Sequence, residues 1–221
     1  MLFVHWPTPH GRIASLIPDG LELETYDGTA WLGIVAIRMS NVHLRGLPSV
    51  PFASAFYQLN LRTYVRAGDK PGIYLFSADV SNPIVATAAR QLFFMPYFNS
   101  TMAYREDAEL HIFSSVRNDN AAPPAEFAVS YGPISPVYNA EPGSLDHWLI
   151  ERYCVYNTDP QGNLYRAEAH HFPWPLHRAD ALIGTNTLTL PQGIELGEMD
   201  PMLCHYAHSL DALLWQPSRI G

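Results

Sequence analysis

The chain has 221 residues, 48% hydrophobic, 12% aromatic and 15% charged, with a formal net charge of −8. This composition excludes disordered, collagen-like and coiled-coil chains. Its acidic balance opposes a surface that tracks nucleic-acid phosphates, which draws on Lys and Arg. A chain of this length buries roughly 70% of the surface its unfolded form exposes, enough for one substantial core, and residues 1–221 are read as a single domain. Lys70 is the one lysine among twelve arginines, so any mechanism that needs an amine has one candidate.

In chain order, the opening Met1-Leu-Phe-Val-His5-Trp6-Pro7 lacks the basic start of a signal peptide. The longest apolar run, residues 30–37, is too short to span a bilayer, so the expectation is a cytoplasmic protein that does not engage the membrane. Thr8 and Pro9 read as a helix cap followed by proline, leading to Ile13, Leu16 and Ile17 before Pro18 stops the helix. Asp27-Gly28 supplies the positive φ angles of a tight hairpin turn between residues 21–26 and 29–39. A second hairpin is expected from residues 55–66 to 72–80. Asn82-Pro83 repeats the cap-proline signal ahead of an apolar stripe of Ile84, Val85, Ala88, Ala89 and Leu92. Strands follow near residues 109–116 and 126–131. A helix starts at Ser144 with Leu145, Trp148 and Leu149 on one face, and further strands lie near residues 152–156 and 164–170. The fold class is α+β, mostly antiparallel β with a few packed helices.

The strand at residues 56–66 alternates: Tyr57, Leu59, Leu61, Thr63 and Val65 face one way, and Gln58, Asn60, Arg62, Tyr64 and Arg66 the other. Its hairpin partner is apolar along most of its length, which points to burial on both faces. The polar row is then either an ordinary wet face or the wall of a cavity. A buried Arg62 requires an anionic partner, and Asp79 in the same hairpin is the expected one. The histidines at 170, 171, 177, 205 and 208 lack the spacing of a zinc signature, so no metal is expected. Cys154 and Cys204 read as reduced thiols. Nucleophile-elbow, dinucleotide and phosphate-loop motifs are missing, and no cofactor is expected. Phe172-Pro-Trp-Pro-Leu176 is a rigid segment that can wall a pocket, and Glu151-Arg152 sits where the third helix passes into a strand.

His5-Trp-Pro7, Leu59-Asn-Leu-Arg-Thr-Tyr-Val65, Ala89-Arg90 with Met95-Pro-Tyr97, residues 144–153 and the His170-to-Leu176 segment together resemble the YqjF-like family of uncharacterised bacterial proteins. Members of that family carry further residues ahead of the His-Trp-Pro motif. The family is in turn similar to acetoacetate decarboxylase, which implies a cone-shaped, mostly antiparallel β barrel with a central pocket and flanking helices. In that decarboxylase a Gly-Arg-Glu segment leads to Pro-Lys-Lys, whose lysine forms a Schiff base with the keto acid. The matching residues here are Ala89-Arg90-Gln91 and Pro96-Tyr97-Phe98, so both lysines are absent, and Gln58 stands where the resemblance implies an acidic pocket residue. Lys70, at a hairpin tip, is poorly placed to substitute, and Schiff-base decarboxylation is not expected.

The resemblance implies a pocket whose wall carries Gln58, Asn60 and Arg62, with Tyr97 at the former nucleophile position and Glu151, Arg152 and Trp174 at rim or floor. Arg62 would bind a carboxylate or polarise a carbonyl, and Tyr97 would exchange a proton. The expected partner is a small anionic or carbonyl-containing molecule, and a homodimer is the default assembly. Three functions stay open: acid-base catalysis on such a metabolite, non-catalytic binding or sensing of it, and a structural protein whose pocket is filled by its own side chains.

Overall fold

The computed structural model describes residues 1–43, 53–196 and 201–220; the remainder of the span read as one domain lies outside the described residues. The strands are β1 (Leu2–Thr8), β2 (Glu22–Leu23), β3 (Ala30–Met39), β4 (Phe56–Ala67), β5 (Lys70–Val80), β6 (Tyr97–Asp107), β7 (Leu110–Arg117), β8 (Glu126–Pro133), β9 (Cys154–Thr158), β10 (Leu164–His171), β11 (Leu176–Asn186), β12 (Leu203–Ala207), β13 (Ala212–Leu214) and β14 (Ser218–Arg219). The helices are α1 (His10–Ala14), α2 (Pro83–Phe93) and α3 (Leu145–Ile150). No helix among the described residues is long and apolar enough to cross a membrane.

Nine strands close into a ring, in the order β4, β5, β6, β7, β8, β11, β12, β1, β3 and back to β4. The pairing is antiparallel except at β5, where residues 78–80 run parallel to β6 and residues 73–74 run parallel to β9. β5 therefore forks the sheet: β9, β10, β13 and β14 extend it outside the ring. The fold is an acetoacetate-decarboxylase-like, mostly antiparallel β barrel with few helices, as expected from the resemblance.

The ring strands separate two apolar clusters, because successive side chains point to opposite faces. One contains Leu2, Val4, Trp6, Leu32, Ile34, Leu59, Leu61, Phe113, Phe127, Val129 and Tyr131, with Phe76, Met102 and Ile183 against it. Drawn from strands all round the ring, it fills the lumen. The other, on the opposite face of β1, β3, β4 and β5, contains Phe3, Trp31, Val35, Tyr64, Ile73 and Leu75. It is roofed by Leu149 and Ile150 of α3, with Met95, Tyr97, Trp148 and Trp174 packed at its margin.

Several local expectations are met. Asp27 (φ 48°) and Gly28 (φ 79°) form the tight turn, closed by the Tyr26–Thr29 bridge. Asn82 caps α2 by accepting from the Ile84 and Val85 amides, and Ser144 caps α3 by accepting from the His147 amide. Others need correction. Thr8 ends β1 instead of capping α1, and its hydroxyl donates to the Trp6 carbonyl at 3.4 Å. β2 pairs with β4 at residues 65–66, because β3 already lies between β1 and β4. α2 buries Ala86 and Ala89 while Ile84 and Leu92 face solvent, so its small side chains, not its large ones, meet the sheet. Cys154 is buried and Cys204 half-buried; they lie on β9 and β12 and are not joined.

Candidate functional site

The polar row of β4 is buried from Gln58 to Tyr64, while Arg66 at its end is half-exposed. Gln58, Asn60 and Arg62 are at most 7% exposed and Tyr64 is fully enclosed. β5 continues on both sides of a bulge at Phe76, where the register shifts so that Leu61 faces Ser77 and Arg62 faces Leu75. Asp79 lies opposite Leu59 and hence on the lumen side of β4, away from Arg62. There it accepts from Nε of Arg117 at 2.7 Å, an ion pair whose side chains are 2% and 0% exposed. The expected Arg62–Asp79 pair is thus replaced by Arg117–Asp79, because a one-residue offset on a strand reverses the face.

Among the described residues, no carboxylate pairs with Arg62. Its Nε and Nη2 are buried and have no hydrogen-bond partner; its guanidinium lies 5.6 Å from the Phe3 ring and 6.0 Å from the Tyr64 ring. His5, Gly33 and Arg62 form one row across β1, β3 and β4, and the missing side chain at Gly33 is what lets their neighbours converge. A Cβ there would stand 3.1 Å from the Tyr64 hydroxyl, 3.2 Å from the His5 ring and 3.4 Å from Cγ of Arg62. Both ring nitrogens of His5, the Tyr64 hydroxyl, Oδ1 of Asn60 and Nε1 of Trp31 are likewise buried without partners. Such a density of unmatched donors and acceptors is uncommon in protein interiors and asks for a reason.

A second guanidinium enters from the α3–β9 connection. Arg152 donates from Nε to the Trp148 carbonyl and from Nη1 to Glu24, while its Nη2 has no partner. It stacks 4.4 Å from the Trp148 ring and 5.1 Å from the Tyr64 ring, placing Tyr64 between two cations. Burial raises the Tyr64 phenol above its usual range although both arginines oppose this, and it stays a neutral donor. Burial, then the charge of Arg62, then His205 push His5 well below the ordinary histidine range, so its imidazole is neutral.

The remaining residues singled out from the sequence divide into two groups. The Tyr97 hydroxyl accepts from Nε2 of Gln58 at 3.1 Å, which ties it to the start of β4, whereas the Arg62 guanidinium leans toward Phe3 and Tyr64. Burial raises the Tyr97 phenol, against the Gln58 hydrogen bond. Glu151 caps α3 and holds the 172–176 segment, accepting from the Trp174 amide at 2.9 Å and the Tyr153 hydroxyl at 2.8 Å. Trp174 packs edge-on against Phe3 at 5.3 Å and so reaches the Arg62 cluster through that ring. Lys70 is 46% exposed and pairs with Glu168 of β10 at 3.2 Å. The row missed in the sequence reading is His5 with His205, 200 positions apart, whose rings come within 6.1 Å. The lone signal was His5 standing beside a proline-ended apolar strand.

Comparison with known proteins agrees with this architecture. The chain is 42% identical over 215 residues to the uncharacterised protein YqjF of Bacillus subtilis (strain 168), covering 97% of this chain and 87% of that one. Among solved structures it resembles an acetoacetate decarboxylase from Legionella pneumophila subsp. pneumophila str. Philadelphia 1 (11% identity, TM-score 0.61, 100% of this chain and 84% of that one). It also resembles an acetoacetate decarboxylase-like enzyme from Sphingomonas wittichii RW1 (12%, 0.63, 99% and 89%) and the enduracididine biosynthesis enzyme MppR complexed with pyruvate (12%, 0.62, 99% and 86%). At these identities the likeness shows the fold alone. The family model of DUF2071, described as an uncharacterised conserved protein, matches residues 1–211, and the chain belongs to that family.

Proposed function

We propose that the cluster around Arg62 binds a small metabolite carrying a carboxylate or a polarised carbonyl, and that it does so without a Schiff base. The observation that carries this reading is the buried Arg62 guanidinium, whose Nε and Nη2 have no partner and which has no carboxylate beside it among the described residues. A guanidinium in this state is costly to the fold and matches the planar, bidentate geometry of a carboxylate. Arg152, with its own unpaired Nη2, adds positive potential from the other side of Tyr64. Aromatic faces from Phe3, Tyr64, Trp148 and Trp174 suit the carbon skeleton of such a ligand. That the similarly folded MppR was crystallised with pyruvate supports this ligand class. The single lysine, exposed and paired with Glu168, is a poor Schiff-base former. In this reading Asn60 and Gln58 line the wall, Tyr97 closes the Gln58 end, and Glu151 keeps Trp174 in place. Neither a cofactor nor nucleic acid has a part in it, and the chain works as a soluble protein in the cytoplasm, with a homodimer as the default assembly.

A thermal-shift screen of small keto acids, hydroxy acids and aromatic acids against the wild type and Arg62→Met tests the proposal. A ligand at 100 times its Kd stabilises by about 2.7 kcal/mol. The expected result is stabilisation of the wild type by one chemical class, lost in the variant. Equal stabilisation of both proteins removes Arg62 from the site, and no response to any compound favours an interior filled by its own aromatic rings.

A further inference from the structure

His205 is fully buried, lies on β12, and is diagonal to His5 across the β1–β12 ladder, where Phe3 pairs with His205 and His5 with Leu203. Its Nε2 stands 3.0 Å from Nη1 of Arg178 and 3.2 Å from Oδ1 of Asp146, and its Nδ1 is buried without a partner. Asp146 is held by two hydrogen bonds from Arg178, at 3.0 and 2.6 Å, and by one from the Tyr138 hydroxyl at 2.9 Å. Burial would raise the Asp146 carboxyl, but His205, Tyr138 and Arg178 together bring it below the usual range, so it stays ionised. The Arg178 side chain is 42% exposed, so this row runs from solvent to the interior.

Resting on the ligand class argued above, we propose that His5 is the proton-transferring residue of this site and that His205 and Asp146 are its positioning pair. A carboxylate on Arg62 leaves the ligand's carbonyl near the Tyr64 hydroxyl and its adjacent carbon near the His5 ring. His5, neutral, takes a proton from that carbon. The C–H electron pair becomes the enolate π bond, and the negative charge on the carbonyl oxygen is met by the Tyr64 O–H and the remaining Arg62 N–H. Return of the proton from His5 to the same carbon restores the ligand, and return to another atom isomerises it, so no oxidant or second reactant is required. Among the described residues, the titratable groups that face His5 are Arg62 and Tyr64 of β4 and His205 of β12, while β3 offers Gly33. Arg62 is thus the cation that resists protonation of His5. A bound carboxylate offsets that charge, which lets His5 hold the proton it takes from the ligand's carbon.

The experiment separates binding from proton transfer. Pyruvate and 2-oxobutyrate are titrated into the wild-type protein by calorimetry in two buffers of different ionisation enthalpy, and deuterium incorporation at their C3 is followed by proton NMR in D2O. Expected are a binding enthalpy that is the same in both buffers, since His5 stays neutral until it takes the ligand's proton, and exchange well above the Arg62→Met background. In His5→Gln the exchange rate falls about 100-fold or more while the half-saturating concentration moves less than about tenfold. His205→Asn lowers the rate about tenfold and shifts its pH profile. Binding without exchange, or a buffer-dependent enthalpy that shows a proton taken from solvent on binding, overturns the proton-transfer role alone, as does undiminished exchange in His5→Gln. Failure of both acids to bind overturns this role on 2-keto acids, while the ligand reading falls only if the wider screen also finds no binder. The buffer comparison and the exchange use the wild-type chain, so they decide the question even if a histidine variant does not fold.

Discussion

Replacing Arg62 by methionine should make the ligand-free protein more stable while abolishing anion binding. In the folded chain the guanidinium has lost its water, and its Nε and Nη2 have no replacement partners. Each such buried donor costs about 1–3 kcal/mol. The offset is its stacking on Phe3 and Tyr64, at 5.6 and 6.0 Å, which contributes about 0.5–2 kcal/mol in all. Methionine keeps the length and flexibility needed to fill the same space with an apolar side chain. The balance favours Arg62→Met by about 1–3 kcal/mol, and about 2 kcal/mol raises the Tm of a domain this size by ~4–8 °C. The control is Arg117→Met, which strands Asp79 beside the lumen and should cost about 3–5 kcal/mol. Both variants are measured by urea unfolding followed by circular dichroism, after refolding from denaturant to remove any retained small molecule. If Arg62→Met is less stable than the wild type by more than about 1 kcal/mol with an unchanged m-value, Arg62 is a structural residue and the reasoning fails.

Three further outcomes follow from the same geometry. Gly33→Ala places a methyl group 3.1–3.4 Å from Tyr64, His5 and Arg62, so it should weaken anion binding about tenfold or more by calorimetry while changing stability by less than about 1 kcal/mol. Gly72→Ala should do the reverse: its Cβ would lie 2.6 Å from the Cys154 carbonyl oxygen and 2.7 Å from the Tyr156 ring, forcing β5 away from β9 at a cost of about 1–3 kcal/mol in urea titration. Because burial, the Arg62 charge and His205 hold His5 neutral in the folded state, only the unfolded chain takes up that proton below the ordinary histidine value of 6.5. The stability due to neutral His5 is therefore full above pH 6.5 and declines as pH falls, by up to about 1.4 kcal/mol per pH unit. His5→Gln should flatten that stretch of the pH–stability curve, and an unaltered slope would show that His5 is not held neutral.

What the sequence disclosed and what it concealed differ in range. The alternation of β4 was legible because a period of two with polar residues on one face is a local property. Whether that face is wet or buried was not, since it depends on α3 and the 172–176 segment folding over it from more than 80 positions away. The partner of Asp79 was concealed for a related reason. Only the pairing of β5 with β6 and of β6 with β7 brings Arg117 to the lumen face of β5, and a hairpin read by itself offers Arg62 as the nearest cation. His5 and His205 meet because β12 pairs with β1, a contact that no short window contains. On α2 the large apolar residues mark a helix correctly but mark the wrong face as buried, because the close approach to the sheet is made by Ala86 and Ala89. Cap and turn signals at Asn82, Ser144 and Asp27-Gly28 held because each is satisfied within three residues.

The two faces of the same strands supply the strongest internal argument that the polar cluster exists for a ligand. On the lumen side, β1, β3 and β4 present Leu2, Val4, Trp6, Leu32, Ile34, Leu59 and Leu61 in a well-filled apolar cluster, and the nearby cation Arg117 has a carboxylate, Asp79, beside it, although Nη2 of Arg117 and Oδ2 of Asp79 keep no partner. On the other side, the alternate residues of those strands place His5, Arg62 and Tyr64 around the bare Cα of Gly33, with Asn60 further along β4, and their buried atoms find no partner among the described residues. Folding does not call for this second arrangement, because strands of this kind are filled by aliphatic side chains one residue away in the sequence. Nor does Arg62 serve an ion pair, since the nearest candidate in its hairpin is turned to the lumen. Several unmatched groups at about 1–3 kcal/mol each are a large fraction of the 5–15 kcal/mol by which domains are stable. A cationic donor fork, a neutral phenol and a neutral imidazole around one point are complementary to an anionic oxygen pair beside a polarised carbonyl, and that complementarity accounts for a cost the fold alone leaves unexplained.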